Sequence, residues 1–241
     1  MDKISGLLSE TKLFKDISKK NIQEYIIPKG SVSTYTKDSC IFLTQERVDT
    51  IKIVISGKVN TFYYYADGSS SLASTVLPKR VLALDLITTR SRISPYNAIA
   101  AESTDIFSFP ADVILKPSDI PEKDRQVMLN QLLIMLSHLN LQKEKHLMVL
   151  SRSGLRDRIL TYLSLQAQQK NTYSFNIPFS REEMAAYLCV NRSALSHELS
   201  LMRKEGWIDF SKNHFVLLKN AQEEMDYKVS ILGILKYIKM N

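Results

Sequence analysis

The stretch FSREEMAAYLCVNRSALSHELSLMRKEGWIDF, residues 179–210, reads as a helix-turn-helix with its wing attached. Ser180 followed by Glu183 is a capping box. The serine hydroxyl accepts from the third helical amide, and the glutamate reaches back to the serine amide. The helix it opens buries Met184 and Leu188, one turn apart, and sets small Ala185 where a second helix can approach. Cys189-Val190-Asn191 makes the turn, and Asn191 can cap the next helix with its side-chain oxygen. On that second helix, expected from Asn191 to Glu205, Leu195, Leu199 and Met202 fall at i, i+4 and i+7 and form one apolar stripe. The opposite face shows Ser193, Ser196, His197, Ser200 and Lys204. Short polar side chains on an exposed helix suit a surface that meets the floor of the DNA major groove. Amphipathic helix pairs are common, so the specificity comes from the capping box, tight turn, polar face and following hairpin together.

On the C-terminal side, WIDFSKNHFVLL holds two short strands around Ser211-Lys212-Asn213, a compact wing. A further helix is expected from Ala221 to Lys239, with Met225, Val229, Leu232, Leu235 and Ile238 on its apolar side. On the N-terminal side, SFNIPF is a short extended piece, and residues 155–169 form an amphipathic helix on Leu155, Ile159, Leu160, Tyr162 and Leu163. Ser151-Arg152-Ser153-Gly154 marks a hinge. Before it, Glu122 to Leu150 contains neither Pro nor Gly and reads as one helix. At 1.5 Å per residue its length is on the order of 40 Å. Leu129, Leu133, Leu136, Leu147 and Leu150 follow one seam; Met128, Leu132, Met135, Leu139, His146 and Val149 follow the adjacent one. A stripe that wide can pack on its own β domain and on a partner helix. Packing on its own core alone is the other reading of that pattern.

Residues 28–115 change character. The runs CIFLT, TIKIVIS, KVNTFYYY, SLASTVL, NAIAA and DIFSFP are short, β-branched and aromatic, as strands of an antiparallel sandwich or barrel are. Lys29-Gly30, Ser56-Gly57 and Asp67-Gly68 are the turn signals, and Asp67-Gly68 is a good hairpin signal. Residues 4–27 read as one or two short helices ending before Pro28.

The 241 residues carry 32 Lys and Arg against 25 Asp and Glu, a net charge of +7 that favours a polyanionic partner. Cys40 and Cys189 lie in different segments, form no disulfide framework and fit a reducing cytosol. Both are expected to be small buried hydrophobes rather than redox switches. No apolar run approaches the length of a membrane span, and the start is too polar for a secretory leader, so a cytoplasmic protein is expected. There is no glycine-rich phosphate loop, GxSxG or HExxH, and the Glu182-Glu183 pair is explained by helix capping. An enzyme is not expected, and neither is a metal site.

In its order of β domain, long helix, hinge and winged helix, the chain resembles the Crp/Fnr family of bacterial transcription regulators over residues 10–220. The likeness is strongest in Ser153–Leu163 and Ile177–Phe210, and present in Val54–Ser69. The resemblance implies an α+β chain of four parts. Residues 1–117 form an antiparallel β-roll, a cyclic-nucleotide-binding-like jelly roll with N-terminal helices that senses an effector. Residues 118–150 form a long dimerisation helix, 151–220 a winged helix-turn-helix, and 221–241 a helical tail. It implies a homodimer on double-stranded DNA with a two-fold operator, and RNA polymerase as a partner if the protein activates.

Family base-reading positions, Glu-x-x-Ser-Arg in many members, fall here on Ser193, Ser196 and His197. Only Ser196 agrees, so the half-site is expected to differ from the usual one. Arg192, Ser193, Ser196 and His197 are the expected base-reading residues. Ser180, Arg181, Asn191, Ser200, Lys204, Lys212 and Asn213 are expected to position phosphates. The family's cyclic-nucleotide cassette has Gly-Glu before a loop and Arg-Ser after it. The corresponding LPKRVLALDLITTRSRISPYNAIAA lacks both glycines and places Pro95-Tyr96 where Arg-Ser would sit. Cyclic AMP is therefore not the expected effector, and no cofactor is expected; Arg80, Arg90 and Arg92 are the stray arginines of that segment. The absence of an N-terminal cysteine cluster excludes the family's iron–sulfur version. His138 and His146, on the long helix, are the only histidines placed to approach an effector pocket, and both are expected to be helix-surface or packed residues rather than ligands. An alternative reading is a protein–protein interaction module that reuses a winged helix without binding DNA, with Ile231, Leu232, Ile234, Leu235 and Ile238 of the tail as its apolar surface.

Overall fold

The computed structural model describes residues 2–218 and residue 221. The expected tail helix, apart from Ala221, lies outside the described residues. Contacts divide the chain into two compact units, Met1–Leu141 and Gln142–Asn241.

In the first unit, α1 (Asp2–Ser9) and a 3-10 turn (Lys12–Phe14) precede α2 (Lys19–Asn21), which Ser18 caps by accepting from the Asn21 amide. The backbone continues helically through a π turn (Ile22–Ile26) and a 3-10 turn (Ile27–Lys29). The helical path thus runs through Pro28 instead of stopping before it. Proline is tolerated there because a first-turn position needs no amide donor. Leu8, Leu13, Phe14, Ile22 and Ile26 draw these turns onto the sheets.

Eight strands follow: β1 (Ser31–Tyr35), β2 (Cys40–Phe42), β3 (Thr50–Ser56), β4 (Val59–Tyr64), β5 (Ser70–Val76), β6 (Val81–Leu82), β7 (Asn97–Ala100) and β8 (Thr104–Pro110). Short helices α3 (Leu84–Ile87) and α4 (Asp112–Leu115) intervene or follow. The strands pair antiparallel in two four-stranded sheets, ordered β1-β8-β3-β6 and β2-β7-β4-β5. Their facing side chains, among them Ile51, Ile53, Leu82, Phe107 and Phe109, form the core, closed by Met128 and Leu132.

The six expected runs are all strands; β1 and β6 are additional. β1 is an edge strand exposed at four of five residues, so it shows no apolar alternation, and β6 is only two residues long. Asp67-Gly68 does close the β4–β5 hairpin, with Gly68 at φ +81°. Ser56-Gly57 instead carries the chain from one sheet to the other. Gly57 has φ +81°, and a Cβ there would lie 2.3 Å from the Ser103 carbonyl oxygen, so only glycine fits.

The long helix α5 (Glu122–Leu150) runs unbroken, as its composition implies. Of its two seams the inner one is that of Met128, Leu132 and Val149, whereas Leu133 and Leu147 are 63% and 62% exposed. The second unit holds residues 142–150 of α5, then α6 (Leu155–Lys170), β9 (Ser174–Asn176), α7 (Arg181–Tyr187), α8 (Arg192–Lys204), β10 (Ile208–Ser211) and β11 (His214–Leu217). The last two strands form the wing hairpin, and β9 joins β11 on its far side in a three-stranded sheet. Met184, Leu188, Leu195, Leu199 and Met202 are fully buried, as are Ile159, Leu163, Ile208 and Phe215 of the same unit.

One further expectation needs correction. Cys40 and Cys189 are exposed residues, not buried hydrophobes. Cys40 stands on a short sheet strand, and Cys189 sits in the interhelical turn at φ 55°, which turns it outward. Partial shelter still pushes both thiols up, with Arg158 opposing the shift at Cys189. His146 is a packed residue, as expected, against the second unit's aromatic cluster.

Candidate nucleic-acid interface

The capping box forms as the spacing requires. Ser180 Oγ accepts from the Glu183 amide at 3.2 Å, and Glu183 Oε2 accepts from the Ser180 amide at 2.6 Å. At the next helix start, Asn191 Oδ1 accepts from the Ala194 amide at 2.7 Å and from the Ser193 hydroxyl at 2.8 Å. Ser193 thereby spends its proton and presents only acceptor lone pairs outward. Arg192, Ser193, Ser196, His197, Ser200 and Lys204 are all exposed, as are Ser180, Asn191, Lys212 and Asn213; Arg181 is half-buried. The structure thus brings the predicted residues to the α8 face, the α7 start and the wing turn. Ser200 donates to the Ser196 carbonyl at 2.8 Å, and Asn213 Nδ2 donates to the Ile177 carbonyl at 3.1 Å, so those two side chains also serve the fold.

The electrostatics of α8 depend on residues that sequence reading missed. Glu198 and Glu205 both turn to Arg156 on α6: Nε donates to Glu198 at 2.6 Å, while Nη1 and Nη2 donate to the two Glu205 oxygens at 2.6 and 3.2 Å. These bonds hold the Glu205 carboxyl below its usual range and raise the Arg156 pKa. Arg203 does the same for Asp209 beside the wing. Glu198 of α8, Glu205 at its C-cap and one wing carboxylate are therefore paired with arginines, while exposed Arg192, Lys204 and Lys212 add positive charge to the outer surface. A surface of that sign attracts phosphates.

A second missed feature lies beneath α7. The His146 ring stacks on Tyr187, centroids 3.8 Å apart at 13°, and its Nε2 lies 2.8 Å from the Tyr187 carbonyl oxygen. Tyr187 packs in turn on Tyr162 and Phe179 at 5.1 and 5.0 Å. Arg158 donates to the Arg152 carbonyl at 2.8 Å and to the Leu188 carbonyl at 3.2 Å, tying the hinge to the interhelical turn. The end of α5 is thus fastened to the first helix of the pair.

The two units match two domain models in order. The cyclic nucleotide-binding domain matches residues 25–116, and the Crp-like helix-turn-helix domain matches residues 157–223. The chain belongs to the Crp/Fnr family. It is a transcription regulator with a helix-turn-helix DNA-binding domain. Comparison with curated proteins gives no match. Among solved structures, this Crp/Fnr chain is similar to FixK2 from Bradyrhizobium japonicum (21% identity, 80% of this chain and 94% of that one, TM-score 0.62). It is also similar to the c-di-GMP responsive global regulator CLP from Xanthomonas campestris (15%, 83% and 99%, TM-score 0.68). A mutant of CooA from Carboxydothermus hydrogenoformans gives 17% identity over 91% and 97%, with a TM-score of 0.68. At these identities the likeness is one of fold. No helix among the described residues is long and apolar enough to cross a membrane.

Proposed function

We propose that this Crp/Fnr regulator acts in the cytoplasm as a homodimer that reads a two-fold DNA operator, one α8 entering each of two successive major grooves. The observation that carries this reading is the α8 surface itself: an outward row of Arg192, Ser193, Ser196 and His197, with Glu198 of the helix and Glu205 at its C-cap turned to Arg156. Those four side chains read bases. Ser180, Asn191, Ser200, Lys204, Lys212 and Asn213 position phosphates around them. Ser193 stands where many relatives carry glutamate and His197 where they carry arginine, so the half-site departs from the common one. The two copies join along the outer row of α5, where Leu133, Ile134, Leu141 and Leu147 are exposed. RNA polymerase becomes a partner if the protein activates.

The domain model's name implies a cyclic nucleotide, and the residues present do not fit one. At the cassette's arginine-serine position lies Pro95-Tyr96. Tyr96 is 5% exposed, packs on Phe42 and Tyr63, and donates its phenol proton to Asp85 of α3 at 2.8 Å. A cyclic phosphate would meet a carboxylate and a phenol whose pKa burial has raised, in place of a guanidinium. Arg92 is committed to Asp49 and Asp112, and Arg80 and Arg90 are exposed. Cyclic AMP is not the effector in this reading.

The test is binding of the full chain to an operator selected from random duplexes. His197→Ala is expected to change the sequence preference. Lys212→Ala is expected to weaken all sequences alike and flatten the salt dependence by about 0.9 in log-log slope. DNA binding unaltered by either substitution would overturn the docking.

A further inference from the structure

Two arginines from the helix-turn-helix converge on the wing. Arg181, the first residue of α7, sets its guanidinium carbon 4.9 Å from the Phe210 ring centroid and 5.6 Å from that of Phe215. Its Nη2 donates to the Lys212 carbonyl at 3.2 Å. Arg203, in the last turn of α8, lies 4.5 Å over the same Phe210 ring, pairs with Asp209 and donates to the Phe210 carbonyl. Between these anchors the wing turn is closed from the other side as well. The Ile177 amide donates to the Asn213 carbonyl at 2.9 Å, and Asn213 Nδ2 donates back to the Ile177 carbonyl.

Lys212 itself sits at φ 53°. Non-glycine residues hold that left-handed conformation only where their surroundings enforce it. Here the two-residue β10–β11 turn itself requires a positive φ at Lys212, and the bond from Arg181 to the Lys212 carbonyl, with the aromatic seat beneath the guanidinium, holds that turn against the start of α7. Stacking on two rings and one carbonyl bond aim the planar Arg181 fork along the wing. Burial lowers the Arg181 pKa, and the neighbouring Arg192 lowers it further. The lysine side chain at the tip is exposed and, among the described residues, carries no such tether.

We propose that Arg181 is a positioning residue for DNA binding: it fixes the wing turn so that Lys212, and not Arg181 itself, meets the backbone phosphate. A residue expected from the sequence to contact phosphate thus acts one step removed. This inference rests on the DNA-binding reading above.

The experiment is a double-mutant cycle in the full chain, with operator affinity measured across a salt series for wild type, Arg181→Met, Lys212→Ala and the double variant. Each phosphate contact contributes about 0.9 to the log-log salt slope. Lys212→Ala and Arg181→Met are each expected to flatten the slope by up to about 0.9, and the double variant no more than Lys212→Ala alone. A double variant flattened by about 1.8 would mean two independent phosphate contacts and would overturn the proposal. An Arg181→Met slope equal to wild type would overturn it too. Arg181→Lys keeps the charge but not the flat fork. It is expected to bind like Arg181→Met, and full rescue by lysine would mark a phosphate contact. If Arg181→Met proves unstable on melting, Arg181→Lys alone decides. Wild type that binds no duplex at all would defeat the DNA reading, whereas wild type that binds with an additive cycle defeats only this one.

Discussion

Replacing Ser180 separates the two jobs assigned to its hydroxyl. In the structure Ser180 Oγ is the partner of the Glu183 amide, and the half of the box made by the Glu183 carboxylate and the Ser180 amide survives loss of the hydroxyl. Ser180→Ala therefore removes one of two reciprocal bonds and leaves one first-turn amide without its cap. Such a substitution costs about 1 kcal/mol, whereas glycine at the same position costs only about a few tenths. The extended Ser180 backbone, φ −65° and ψ 170°, suits either residue. For a unit the size of Gln142–Asn241, about 1 kcal/mol corresponds to a drop in melting temperature of roughly 4–8 °C. The assay is thermal unfolding of the full chain followed by circular dichroism, beside operator affinity at fixed salt. Ser180→Ala is expected to melt several degrees below Ser180→Gly, while the two lose operator affinity equally, because both lack the hydroxyl proposed to meet phosphate. Equal melting temperatures would refute the capping argument. Wild-type affinity in Ser180→Gly would refute the phosphate contact and leave the cap intact.

Acid should loosen the joint between α5 and α7. Burial lowers the His146 pKa below its ordinary value, with the Tyr187 carbonyl partly opposing, so the folded state favours the neutral ring. The unfolded chain then takes up the proton first. The contribution of His146 is complete above about pH 6.5 and is lost as pH falls through the lower folded value. Between pH 7.5 and 5.5 the urea midpoint of wild type should fall more than that of His146→Phe, and equal falls would refute the assignment. At the exposed row of α5, joint replacement of Leu133 and Leu147 by Asp should shift the chain from dimer to monomer in analytical ultracentrifugation without lowering its helix content. A dimer that persists would place the interface elsewhere.

The helix-turn-helix was legible because its signals are local. A cap three residues from its glutamate, a turn, and apolar side chains at i, i+4 and i+7 all lie within one stretch of chain, and the structure reproduces them. The strands legible in the sequence were those whose runs are apolar enough to stand out between turn signals, β7 included although its inner face is Ala98 and Ala100. β1 escaped because an exposed edge strand has no inner face to alternate with. Gly57 was read as a turn, and a turn of positive φ can close a hairpin or cross between sheets, which only pairing can distinguish. What organises the candidate site was not legible at all. Arg156 meets Glu198 and Glu205 across 42 and 49 residues of chain, and His146 meets Tyr187 across 41, distances at which no spacing rule operates. The sequence placed His146 on the long helix but not the direction it faces. Arg181 was assigned by its place at the helix start; its seat on Phe210 and Phe215 depends on the wing folding back, which a linear motif does not encode.

The most direct measurement is selection of bound duplexes from a random library by the full chain, followed by the mass of the complex on the enriched sequence. The expected result is an inverted repeat with half-sites about 10 base pairs apart, centre to centre, occupied by two chains. It should differ from the family's usual half-site, and its preference should shift in His197→Ala. No enriched sequence, or an asymmetric site holding a single chain, would contradict a two-fold reader built on α8.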